Sequence, residues 1–294
     1  VAGIRCDPAW SWRSHQGQEG RLGLTGRKRM ATLGAVYDAE PAPRRPHDVI
    51  VPPGGFADGH VRRPGPVARG KWLCGSVEHD AEHVVAQVFD HAQARDPDHR
   101  RTWVVLVDGA RHQLDLVQAE ARLHHVDVRI VIDIIHVLEK VWSAAWCFHQ
   151  PGDKSVEDWV AVHALAILNG DAAEVADTLH VQAGQAELTA EQRHGVDTCV
   201  RYLRSNSDFL HYDQALAAGW PIATGIIEGA ARHLIADRLD IGGARWGLDG
   251  SEAVLRLRAV DSNGDLDAYW EYHVAKEHRR LYPTGDQIRY ALTA

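Results

Sequence analysis

The 294-residue sequence predicts an α/β fold. Two apolar runs that each end in an aspartate carry the prediction: Trp103–Val107 (WVVLV) before Asp108, and the alternating stretch 126–132 before Asp133. Residues 113–125 lie between them and place Leu116, Ala119 and Leu123 on one helical face. Strand, crossover helix and strand make a βαβ unit with two adjacent parallel strands. A third observation is that the periodicity beyond Ile134 is almost wholly helical.

In chain order, the first 26 residues show neither a helical nor a strand period. The chain opens on Val1 and its only methionine is Met30. Two readings of that start stand: an alternative start codon, or a truncated or frame-disturbed N-terminus. Residues 30–38 (MATLGAVYD) alternate through Leu33, Ala35 and Tyr37, and read as a strand. Residues 1–70 hold 8 of the 12 prolines and 11 of the 26 glycines, so 40–70 reads as loop or linker. The expected organisation is therefore a Pro/Gly-rich, basic, partly disordered segment over 1–70 and one catalytic domain over 71–294. Helices are expected over 77–95, 134–149, 156–168, 172–182 and 189–205. The loop 219–225 (GWPIATG) leads into a helix over 226–239, and Gly242-Gly243 breaks the chain. Helices over 251–260 and from Asp265 through Arg280 complete it.

Composition narrows the function classes. Hydrophobic residues at 45% and charged residues at 24% describe an ordinary globular chain, not a collagenous or disordered one. No apolar run approaches the ~18 residues of a membrane span. The N-terminus has no apolar core of a secretion signal. Cys6, Cys74, Cys147 and Cys199 are far apart with no CxxC pair, which fits reduced thiols in the cytoplasm. Residues 1–70 carry a net +5 and the remainder −13. An acidic body disfavours purely electrostatic DNA binding, so any nucleic-acid role must use local basic patches or metal ions. Only 5 of the 32 basic residues are lysine, which suits phosphate recognition but equally fits a GC-rich genome.

The acids single out a site. Asp108 and Asp133 each sit at the carboxyl end of a strand, where open α/β sheets place their working sites. Neighbouring strands lie ~4.8 Å apart, so both carboxylates could bracket a Mg2+ ion. The ordinary reading is a pair of turn or helix-capping aspartates. Glu228 falls in the first turn of its helix, with Arg232 four residues on; it is either a surface ion pair or a carboxylate presented to a metal. His136 and Glu139 follow Asp133 at helical spacing, and His136 could contact phosphate. Arg232, His233, Arg238 and Arg245 form a local basic face beside Glu228. Trp142, Trp146 and Trp159 read as core.

Three segments resemble a known group: 104–115 (VVLVDGARHQLD), 131–146 (VIDIIHVLEKVWSAAW) and 219–273, which opens GWPIATGIIEGAARHLIADRLD. They look like the ISKra-type insertion-sequence transposases, bacterial DDE enzymes similar to Mutator-type transposases. The likeness covers roughly residues 71–280, with a weaker match at 29–46. It implies a ribonuclease-H-like mixed sheet, an all-helical insertion at about 150–218 and a helical C-terminus. It further implies a two-metal Mg2+ (or Mn2+) site on Asp108, Asp133 and Glu228. The implied partners are double-stranded DNA, as terminal inverted repeats and target, with homo-oligomers assembling on it in the cytoplasm at the nucleoid. In this topology the first acid belongs on the opening strand of an antiparallel meander, which would make Asp108 the second acid. No strand is expected in residues 1–30, and Asp38 is the only nearby strand-end acid. Either Asp108–Asp133–Glu228 is the triad, or the chain is an inactive remnant that binds DNA or self-associates. A metal-dependent phosphohydrolase on the same βαβ acids is a third reading.

Overall fold

The computed structural model describes residues 2–7, 30–56, 59–223, 225–241 and 245–283, the first of these as backbone. The strands are β1 (Ala2–Asp7), β2 (Thr32–Ala39), β3 (Ala68–Ser76), β4 (Trp103–Val107) and β5 (Val128–Ile132). The helices up to residue 217 are α1 (Pro46–Val49), α2 (Ala81–Arg95), α3 (Arg111–Leu123), α4 (Ile134–Ala145), α5 (Ser155–Leu168), α6 (Ala172–Gln185), α7 (His194–Ser205) and α8 (Tyr212–Ala217). Then comes α9, built of α-helical Gly225–Ala230, π-helical Ala231–Ala236 and a final turn Asp237–Leu239. α10 (Leu248–Ser262) and α11 (Leu266–Leu281) follow. The expected break at Gly242-Gly243 lies outside the described residues.

The strands form one mixed sheet in the order β3-β2-β1-β4-β5. β1 is antiparallel to β2 and parallel to β4, and β4 is parallel to β5. The expected βαβ unit is there, with α3 as crossover and Val107 in register with Ile132. All five residues of β4 are buried, because both faces of the sheet are covered.

Two expectations are corrected. The opening residues, read as lacking any period, contain β1, the middle strand of the sheet. The 70/71 boundary also fails, since β1, β2 and the first residues of β3 belong to the same sheet as β4 and β5. The linker reading of 40–70 holds in part. This stretch is mostly irregular, but it carries α1 and docks by backbone bonds from Ala42 and Arg44 to Gly219 and Leu216.

Each face of the sheet has its own layer. On one, Val84, Val88 and Phe89 of α2 pack with Val36 and Trp103. Asp80 starts α2 by accepting a hydrogen bond from the His83 N–H at 3.1 Å, so the helix begins there and not at Val77. Gly34 lets α2 lie close, since a Cβ at this position would stand 2.3 Å from Val88 Cγ2. On the other face, Leu33 and Ala35 of β2 pack with Ile227, Ala230, Leu234 and Ile235 of α9 and Leu255 of α10. Beyond β5, α4 to α8 form the expected helical block, with α7 against both α4 and α6. Its interior includes Ile167, Leu179, Cys199 and Leu203, each fully buried aliphatic side chain contributing about 1.5–3 kcal/mol. Trp142 and Trp159 pack against that interior, whereas Trp146 is exposed and does not join it. No helix among the described residues is long and apolar enough to cross a membrane.

Candidate active site at the ends of the parallel strands

The sheet register aligns three aspartates. Arg5 of β1 lies opposite Leu106 of β4, and Val107 of β4 lies opposite Ile132 of β5. Continuing the first ladder by two residues and the second by one brings Asp7, Asp108 and Asp133 level at the carboxyl ends of three adjacent parallel strands. Adjacent strands are ~4.8 Å apart, so the three backbone positions sit side by side. Sequence reasoning missed Asp7. The signal was faint: Ala2, Ile4 and Cys6 alternate with Gly3, Arg5 and Asp7 before Pro8, but alanine, glycine and aspartate have little strand preference.

Asp108 and Asp133 have different surroundings despite the shared level. Asp108 is half-buried, and its Oδ1 accepts the Ala110 N–H at 2.7 Å. Its Oδ2 accepts no hydrogen bond among the described residues. Its backbone is clamped twice: the N–H donates to Gln113 Oε1 at 3.3 Å, and the carbonyl accepts the Tyr202 hydroxyl at 2.6 Å. Gly109 turns the chain here at φ +86°, and a Cβ on it would stand 2.8 Å from the Tyr202 Oη. Asp133 is 1% exposed and accepts the Ile135 N–H at 2.9 Å, which makes it the N-cap of α4. Beside it, fully buried Tyr212 donates its hydroxyl to the Ile132 carbonyl at 2.7 Å. Burial pushes the Tyr212 phenol well above its ordinary pKa, with the nearby Tyr202 and Asp133 adding to the shift.

Glu228 is exposed, and among the described residues its side chain makes neither a hydrogen bond nor an ion pair. The pairing with Arg232 expected of an ordinary surface helix is not formed. A π-helical turn starts at Ala231 and changes the angular offset between residues four apart. The flanking Ile227 and Ala230 are buried against β2 in the layer that contains Leu33. Leu33 is the residue opposite Asp7 in the β1–β2 ladder. The Glu228 helix thus lies over the strand next to β1.

The predicted basic face is carried on α9 and just beyond. Arg232 and Arg245 are exposed. His233 Nδ1 is 4.0 Å from Asp237, and its carbonyl accepts from Arg258 Nε at 3.0 Å. The Arg238 guanidinium stands 5.9 Å from the Trp246 ring centroid. His136 lies on α4, with Nδ1 3.4 Å from Glu139. Two further clusters were not singled out from the sequence. The ligand atoms of His47, Asp48 and His60, and those of Glu78, His79 and Glu252, each lie within 4.8 Å of one another. Neither cluster includes Asp108, Asp133 or Glu228. Comparisons with protein-family models, curated proteins and solved structures find no match to this chain.

Proposed function

We propose that this chain is a DDE-type DNA transposase built on a ribonuclease-H-like sheet, with Asp7, Asp108 and Glu228 as its acids. The observation that carries the reading is the register that levels Asp7 with Asp108 on neighbouring strands, beneath the layer that holds the Glu228 helix. Asp133, buried and capping α4, takes a structural role. The position of Asp7 also favours an active enzyme over an inactive DNA-binding or self-associating remnant, because the opening strand ends in an acid.

The donors suit Mg2+ or Mn2+. They are carboxylates, and Asp108 Oδ2 and Glu228 are not engaged elsewhere among the described residues. Cations held there would supply Lewis-acid activation of an attacking hydroxyl and stabilisation of the leaving oxygen in DNA cleavage and strand transfer. The chain's own part is positioning. Tyr202 and Gln113 fix the Asp108 backbone, the Ala110 N–H sets the rotation of its carboxylate, and the α9 layer sets the height of Glu228. Arg232, His233, Arg238 and Arg245 offer phosphate contacts around Glu228, so that an acidic chain meets DNA through a local cationic face.

The test is cleavage of a duplex carrying the ends of the element that encodes the chain, with Mg2+ or Mn2+. Asp7→Asn, Asp108→Asn and Glu228→Gln should each abolish nicking while DNA binding persists. Asp133→Ala should lower stability by about 1–2 kcal/mol through the lost cap and leave nicking intact below its melting temperature. A folded Asp7→Asn protein with full activity would overturn the assignment. Duplex binding by the wild-type chain without any nicking would favour the remnant.

A further inference from the structure

The connection between β2 and β3, residues 40–67, contains the other arrangement that chemistry can use. Asp48 on α1 has a fully buried side chain. Its carboxylate is held by the Arg45 N–H at 2.8 Å, by Arg45 Nε and Nη2 at 3.2 Å each, and by the Arg63 N–H at 3.2 Å. His60 Nε2 faces it at 3.5 Å. That nitrogen is buried and, among the described residues, makes no hydrogen bond. The His60 side chain is 12% exposed and its ring is stacked by Phe56, with centroids 4.4 Å apart and planes 4° from parallel. The His47 ring stands edge-on to His60 at 5.1 Å, and a ring nitrogen of His47 lies within 4.8 Å of both other ligand atoms.

We propose that His47, Asp48 and His60 form a binding site for one zinc-type divalent cation, separate from the strand-end acids. A buried, unbonded imidazole nitrogen is costly to leave unsatisfied, and a cation would satisfy it. His60 Nε2 and Asp48 Oδ1, 3.5 Å apart, form no hydrogen bond. Their separation does match the spacing of two ligands on one ion. With bonds of about 2.1 Å to each, that separation subtends roughly 113° at the metal, close to the tetrahedral angle. Two imidazoles and a carboxylate are a common three-ligand zinc set, leaving a fourth position for water. Arg45 and the Arg63 N–H orient the carboxylate from outside, as hydrogen-bonding neighbours of metal ligands do. The positive charge of Arg45 opposes the cation and weakens its binding.

The site would clip an otherwise irregular connection. That connection is what braces the approach to the Glu228 helix. The Ala42 N–H donates to the Gly219 carbonyl at 2.9 Å, the Arg44 N–H to Leu216 at 3.0 Å, and Arg44 Nη2 to Trp220 at 3.1 Å.

The experiment uses the full chain after chelator treatment, at pH 7.5, with Zn2+ in calorimetry and Co2+ as the spectroscopic probe. The strand-end double variant Asp108→Asn/Glu228→Gln should bind one Zn2+ per chain. Both that variant and the wild type should show intense visible Co2+ bands of a tetrahedral N/O site and a melting temperature raised by the metal. His60→Ala should weaken Co2+ binding by more than about 100-fold, beyond the loss typical of an outer-shell change. The double variant Asp108→Asn/Glu228→Gln should bind Co2+ as wild type does, which separates this site from the proposed catalytic one. His60→Gln, compared with wild type in the metal-free state by circular dichroism, controls for folding. Absence of stoichiometric Zn2+ and Co2+ binding by the wild-type chain would overturn the proposal. So would wild-type Co2+ affinity in a folded His60 variant, or loss of the Co2+ bands in the strand-end double variant.

Discussion

Replacing Glu252 tests how the Glu228 helix is held at its height. Glu252 projects from α10 to the end of β3, with a side chain only 5% exposed. Both of its oxygens lie 3.0 Å from the Ser76 hydroxyl, and Oε2 accepts the Val77 N–H at 2.8 Å and the Glu78 N–H at 3.3 Å. Arg256 Nε donates to Oε1 at 2.7 Å from the exposed side. In Glu252→Ala the Val77 N–H and the Ser76 hydroxyl lose a charged acceptor, and each orphaned donor costs about 1–3 kcal/mol. The expected loss is about 2–5 kcal/mol, from the two donors left without an acceptor. Arg256→Ala should cost less, about 1–2 kcal/mol, because the buried carboxylate loses one charged donor but keeps Ser76 and the Val77 and Glu78 N–H groups. Urea unfolding followed by tryptophan fluorescence reads both values. The network also sets a pH dependence. Burial alone would raise the Glu252 pKa, but the bonds from Val77, Arg256 and Ser76 outweigh it and hold it below the ordinary 4.5. A carboxylate depressed on folding stabilises above its unfolded pKa, and that contribution is lost as pH falls through the folded value. The wild-type advantage over Glu252→Gln should therefore be full at neutral pH and shrink below about pH 4.5. A Glu252→Ala loss under ~1 kcal/mol, or equal losses for Glu252 and Arg256, would refute the reasoning.

Two other substitutions probe the strand ends. Gly109→Ala should destabilise the chain by about 1–3 kcal/mol by thermal melting, since φ +86° is unfavourable for alanine and its Cβ meets the Tyr202 hydroxyl. Tyr212→Phe should cost about 1–3 kcal/mol in the same assay, leaving the buried Ile132 carbonyl without its 2.7 Å donor.

The legibility of the fold varied with the amount of local signal. WVVLV and its neighbour near Ile132 declare themselves because strands buried on both faces need apolar residues at every position or a strong alternation. β1 carries Gly3 and Arg5 among six residues, too little intrinsic preference to mark a strand; its place follows from β2 and β4 on either side. Asp108 and Asp133 look alike in sequence, each following an apolar run. What separates them is the burial of Asp133 beside Tyr212, a contact across 79 residues that no window on the sequence contains. The π-helical turn in α9 was equally hidden, because Ala231–Ala236 reads as ordinary helix. The clusters around Asp48 and Glu252 join residues from distant elements or an irregular connection, where periodicity carries no information.

The strand order also governs how this sheet fails. Among the described residues, β2 with β3 and β4 with β5 are two pairs linked by strand hydrogen bonds only through the six residues of β1, while α2 packs across both from one face. If β1 detaches, the inner edges of β2 and β4 are left with rows of unpaired N–H and C=O groups flanked by Leu33, Ala35, Val104 and Leu106. Such bare apolar edges recruit strands from other chains. Loss of the first strand would therefore show itself as self-association of a chain whose strand pairs α2 still holds together, before it showed itself as unfolding.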